Sequence, residues 1–174
     1  MGRFNDKIEA EFNPPRKWVL SRLLSYQNKD MDEDVLKVVG VSVVASRISV
    51  GKGFVTDLAS VPRICWAFIS PWDIARAAII HDLLYKKIRV YRRECSKTLM
   101  NSADPKVISA AKKAADDVFH MAMKDAEPPV ANWKIAAAYY SVKMFGRWSI
   151  IPREDDELCE DTKRRKPEWP GPGV

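Results

Sequence analysis

Residues 79–87 read IIHDLLYKK and set an imidazole, a carboxylate and a phenol inside an apolar run. On a helix, His81 and Tyr85 stand four apart on one face, while Asp82 is turned by roughly 100 degrees toward the next. One such helix can present a base to one neighbour and a carboxylate to the loop beside it. A further pair of carboxylates lies in AADDVF, residues 114–119. Two helices joined by a moderate connection usually pack antiparallel, which would bring Asp116 or Asp117 against His81 and Tyr85. A buried carboxylate touching the imidazole would fix its tautomer and stabilise its protonated form, with Tyr85 holding that carboxylate by a hydrogen bond. That is the equipment of a general base, and it would leave Asp82 for a cation. The rival reading is a satisfied polar cluster that ties the helices to a loop. Both remain open on the residues alone.

The elements that must position these groups are legible in outline. KWVLSRLLSY and VLKVVGVSVVASRISV are rich in β-branched and aromatic residues, with QNKDMDED as a polar connection, and they predict a small N-terminal antiparallel sheet. GKGFVTDLASVPR then has loop chemistry, two glycines, an aspartate and a proline. From Pro71 the period becomes helical. SPWDIARAAIIHDLLYKKIRVY carries Ser70 as N-cap, Pro71 at the first position and Asp73 in the first turn. A second helix is expected from Asp104-Pro105 to Pro128-Pro129, and a third in VANWKIAAAYYSVKMFG, closed by Gly146. The expected class is α+β: sheet, irregular loop, then about three packed helices. The expected organisation is an N-terminal arm over 1–14, a single globular domain over 15–152 and a charged Pro/Gly-rich tail over 153–174.

Composition narrows the function classes. A chain of 174 residues, 47% hydrophobic and 30% charged, has enough apolar material for one core and no run suited to spanning a bilayer. The opening MGRFNDKIEAEF lacks the apolar core of a secretory signal. Cys65, Cys95 and Cys159 are scattered and odd in number, which argues against a disulfide framework or zinc cluster and suits a reducing cytoplasm. Residues 153–174 hold five basic and seven acidic groups, so the net charge of +6 becomes about +8 on residues 1–152. A basic body suits an anionic partner such as a membrane surface. No recognisable nucleic-acid fold motif accompanies the charge, so nucleic acid is not the expected partner.

Other candidates have plainer explanations. Asp57 and Ser60 in TDLASVPR read as the caps of a turn, and no nucleophile elbow surrounds Ser60. His120 sits in an amphipathic run as a packing or surface residue, which leaves too few histidines for a His-Asp metal phosphohydrolase. Trp66, Phe68 and Trp72 are core, with an exposed interfacial patch as the alternative. In the tail, EDDELCED is followed by KRRK, which reads as solvated chain or as a segment that docks onto an assembly.

Two family resemblances add to this reading. HDLLY resembles the His-Asp-x-x-Tyr pattern of the phospholipase A2 superfamily, and AADDVF resembles the segment that supplies the supporting aspartate there. The resemblance implies His81 as general base on water, Asp116 as its supporting carboxylate and Tyr85 as the anchor of that carboxylate. It also implies Asp82 as a calcium ligand, with carbonyls of the VGKGF loop at Gly51 and Gly53 and with Asp57 as a further candidate. Calcium, which takes six to eight oxygens, would polarise an ester and hold the developing oxyanion. The glycines lie farther before the histidine than the loop of that superfamily does. A longer resemblance covers about residues 15–148. The ordered motifs GFVTDLASVPR, CWAFISPWDIARAAIIHDLLY, AADDVF and SVKMFG are similar to an uncharacterised family of tailed bacteriophages and prophages, domain of unknown function 1353. It implies a virion or tail protein with other virion proteins as partners, and it brings no activity of its own.

Overall fold

The computed structural model describes residues 2–5, 7–14, 17–56, 74–98 and 103–153. Asp57, Ser60, Cys65, Trp66, Phe68, Ser70, Pro71, Trp72, Asp73 and the tail with its KRRK run lie outside the described residues.

The architecture is α+β, with antiparallel strands first and long helices after. Among the described residues, seven short strands make two sheets instead of one. β1 (Arg3–Phe4), β4 (Leu24–Gln27), β6 (Arg47–Val50) and β5 (Val43–Val44) form one sheet in the order β1-β4-β6-β5. β2 (Ala10–Asn13), β3 (Lys17–Leu20) and β7 (Val55–Thr56) form the other. The run KWVLSRLLSY is therefore two strands, β3 and β4, that part between Leu20 and Leu24 and pair in different sheets. Residues 3–4 and 10–13, within the stretch read above as an arm, are strands of the two sheets.

The long β-branched run also divides. Residues Glu33–Val38 form helix α1, where the sequence pattern predicts strand. Asp32 caps it by accepting from the Val35 amide, Glu33 and Asp34 occupy the first turn, and Gly40 follows the end at φ +78°. Local capping thus overrides the β-branched composition. Beyond it, β5 and β6 make a hairpin in which Val44 pairs with Arg47 across Ala45 and Ser46. Along β6 the alternation is clean: Ile48 and Val50 are buried while Arg47 and Ser49 face out.

Among the described residues, three long helices follow the strands: α2 (Ala75–Thr98), α3 (Pro105–Lys124) and α4 (Asn132–Ser149). Asp104 caps α3 and Pro105 opens it, as expected. α3 packs through Ala111, Ala114, Ala115, Val118, Phe119 and Ala122, a stripe whose alanines let a neighbouring helix come close. The end of α2 shares a pocket with the start of α3, and His81 farther up α2 meets Phe119 farther down α3, so the two run antiparallel. α4 does not stop at Gly146. It continues to Ser149 with Gly146 buried within it. One apolar cluster joins Leu20, Tyr26 and Ile48 of the sheets to Ile80, Phe119 and Ile135 of the helices.

Candidate functional site

His81 and Tyr85 lie in an apolar part of α2. Ile80, Leu84 and Ile88 are fully buried around them, and His81 itself is 0% exposed. Placing two polar rings there is costly unless their hydrogen bonds are met. Asp116 of α3, 3% exposed, meets them. His81 Nε2 lies 3.1 Å from Asp116 Oδ1, and Tyr85 Oη donates to the same oxygen at 2.7 Å. The other oxygen is taken by a residue that the sequence reading did not single out: Lys112 Nζ donates to Asp116 Oδ2 at 2.6 Å and to the Val142 carbonyl of α4 at 3.2 Å. Lys112 precedes Asp116 by one helical turn, a spacing at which opposite charges regularly pair, so a signal for it was present. Asp117, the alternative carboxylate, faces elsewhere and accepts from Lys113 and Tyr139.

Electrostatics keep Asp116 ionised. Burial, the largest single influence, pushes its carboxyl up; the hydrogen bond and charge of His81, with the bonds from Lys112 and Tyr85, outweigh burial and leave it below its ordinary value. Tyr85 moves the other way, raised by burial first and then by the Asp116 charge, so it stays a phenol and a donor. An ionised carboxylate can only accept. Nε2 of His81 therefore carries the proton, and in the neutral ring Nδ1 is the bare nitrogen. Nδ1 is buried and has no hydrogen-bond partner among the described residues. Phe119 stacks on the imidazole with ring centroids 4.7 Å apart, and the Tyr85 ring packs against it at 4.0 Å.

Gly146 completes the site from α4. A Cβ there would collide with Tyr85 Oη and crowd the Lys112 stem. The glycine, expected as a helix end, instead lets α4 close over the Tyr85–Asp116–Lys112 contacts.

The cation candidates separate from this cluster. Asp82 accepts a hydrogen bond from Thr56 Oγ1 and so ties α2 to the end of β7. Gly51 and Gly53 shape the turn before that strand: the Gly51 carbonyl accepts from the Phe54 amide, and Gly53, at φ +83°, donates to the Leu20 carbonyl. Asp57 lies outside the described residues. Asp82 and Thr56 bring two oxygen-bearing side chains together. No group of three or more His, Cys, Asp or Glu side chains among the described residues is placed to hold a metal. His120 stacks on Tyr139, ring centroids 4.6 Å apart, as a packing residue would.

Residues 34–142 match the family model described as Protein of unknown function (DUF1353). The chain belongs to this family. The DUF1353 span contains His81, Tyr85, Lys112 and Asp116 and ends at Val142, the residue whose carbonyl receives Lys112; Gly146 falls just beyond it. Comparison with curated proteins and with solved structures finds no match. No helix among the described residues is long and apolar enough to cross a membrane.

Proposed function

We propose that this DUF1353 protein is a bacteriophage virion or tail component whose buried His81–Asp116 pair is a hydrolytic site of phospholipase A2 type, acting on ester bonds of host membrane phospholipid. The observation that carries the reading is the state of His81. Its Nε2 is committed to an ionised carboxylate, while its buried Nδ1 has no hydrogen-bond partner among the described residues, and such a nitrogen asks for an explanation. Proton acceptance by Nδ1 supplies one. Water entering beside Nδ1 would give it a proton as the water oxygen attacks the ester carbon. The imidazolium would then return that proton to the departing alkoxide. Asp116 stabilises the imidazolium in between, and Tyr85 and Lys112 hold Asp116 in place. The phage setting rests on the ordered motifs that the sequence shares with tailed-phage proteins. A calcium ion at Asp82, the role the resemblance implies, would supply Lewis-acid chemistry at the ester.

A second reading is favoured by one observation, the complete burial of His81. On that reading the cluster is a structural bolt between α2, α3 and α4 in a non-catalytic tail accessory protein, docking through its charged tail.

Release of fatty acid from phospholipid vesicles, measured with calcium, with other divalent ions and with chelator, separates the two. The hydrolase reading expects release by the wild type and its loss in a folded His81→Gln protein. No release under any of these ions leaves only the structural reading.

A further inference from the structure

The outer surface of α4 breaks the pattern of the other long helices. Its buried side, Ile135, Ala138, Val142 and Gly146, faces the core, but the opposite side is apolar too. Trp133, Tyr140, Met144 and Trp148 are each more than half exposed. Their spacing of seven, four and four residues lines them along one side of the helix. Helices that are apolar all round are normally covered on all sides. α4 also carries three basic residues, Lys134, Lys143 and Arg147, and no acidic one.

Beside this stripe lies a pocket of about 900 Å³ between the ends of α2 and α4 and the start of α3. Arg92, Lys112, Lys143 and Arg147 line it, with Ser96 and Ser109, and among the described residues no acidic one does. Lys112 is neutralised by Asp116, and Arg92 donates to the Ile150 carbonyl. Lys143 rests on the Tyr139 ring, and Arg147 has no ion pair among the described residues. Cations gathered in one pocket repel each other and favour an anion.

We infer that α4 is a docking face for an anionic lipid surface: Trp133, Tyr140, Met144 and Trp148 enter the headgroup–acyl boundary while Lys143, Arg147 and Arg92 receive lipid phosphate in the adjoining pocket. Tryptophan and tyrosine flanked by lysine and arginine are the residues that settle at such a boundary. Charge selects lipid over a second copy. Two copies laid face to face would oppose their basic rims, whereas the body of the chain, about +8 over residues 1–152, is drawn to negative lipid. The inference names the partner surface for the membrane reading above but does not need catalysis at His81.

Cosedimentation with vesicles tests it, using phosphatidylcholine alone and phosphatidylcholine mixed with phosphatidylglycerol. The wild type is expected to bind the mixed vesicles, to bind neutral ones far less, and to be released by salt. Lys143→Glu with Arg147→Glu should weaken binding on the order of tenfold or more, since each basic residue near an anionic surface contributes. Trp133→Ser with Trp148→Ser should lose binding with its charge intact. Far-UV circular dichroism confirms that each variant is folded, and both replace exposed side chains. His81→Gln should bind as the wild type does, so failure of hydrolysis and failure of docking are told apart. Equal binding by wild type and variants, or none to mixed vesicles, overturns the inference. So does a wild-type dimer that the tryptophan changes dissociate, because the occupant is then a second copy.

Discussion

At the scale of the residue, Asp116 is the hinge of the site. It is a buried charge made tolerable by Lys112, Tyr85 and His81 together. Asp116→Asn keeps the shape but strands the Lys112 ammonium, and breaking a buried pair in this way costs about 3–5 kcal/mol. Urea unfolding should show that loss at neutral pH. The pH dependence has a defined sign. The folded carboxyl lies below its unfolded value, so its contribution is fully present above roughly pH 4 and is lost as pH falls through the folded value. Urea midpoints followed downward from pH 6 should fall less steeply for Asp116→Asn than for the wild type. Gly146 tests the packing of the same cluster. Alanine ordinarily favours a helix by about 1 kcal/mol over glycine. Here its methyl meets Tyr85 Oη, and overpacking of about 1–3 kcal/mol should reverse the sign. Combining Gly146→Ala with Tyr85→Phe removes the clashing oxygen, so the double variant should lose less stability than the two single losses added.

At the scale of the element, local signals and long-range contacts divide the work. Helix α3 obeys its local code, with Asp104 as cap and Pro105 first. The β5–β6 hairpin does not. Two-residue hairpin turns want positive φ at both positions and favour asparagine and glycine. This one uses Ala45 at φ 50° and Ser46 at φ 56°. Tertiary contacts hold it: the Ser46 carbonyl accepts from Asn28, its hydroxyl donates to Glu33, and the Ala45 carbonyl accepts from Gln27. VLKVVGVSVVASRISV has strand chemistry in its composition, and Ala45 and Ser46 are not the asparagine or glycine that would mark such a turn. Ala45→Asn relieves the left-handed strain without touching those bonds and should raise stability by about 0.5–1 kcal/mol. A chemical unfolding midpoint would register the gain.

At the scale of the whole molecule, the two sheets and three long helices share one apolar cluster. Asp125 at the end of α3 adds a polar tie by accepting from the Gly2 amide at 2.9 Å, Tyr26 Oη at 2.6 Å and Asn28 Nδ2 at 3.1 Å. With the halves joined in this way, tryptophan fluorescence and far-UV circular dichroism should report a single coincident unfolding transition. Two separated transitions would show that sheets and helices unfold independently. Burial of the His81 cluster belongs to this scale as well, since α2, α3 and α4 each contribute to it.

The residues alone were enough for the class of the fold, the start of α3, and the placing of His81 and Tyr85 on one helical face. All three follow from period, capping and turn chemistry within a short span. The sequence also implied, through resemblance, that Asp116 rather than its neighbour Asp117 is the carboxylate. Only packing decided the rest. Two sheets appear because β3 and β4 turn away from each other after Leu20, a choice made by their partners β7 and β6. Gly146 is a close-approach residue instead of a helix end because the Tyr85 hydroxyl lies beneath it. Lys112 joins the site because α4 presents the Val142 carbonyl beside Asp116. Such roles depend on groups twenty or more residues away, and helical spacing cannot reach that far.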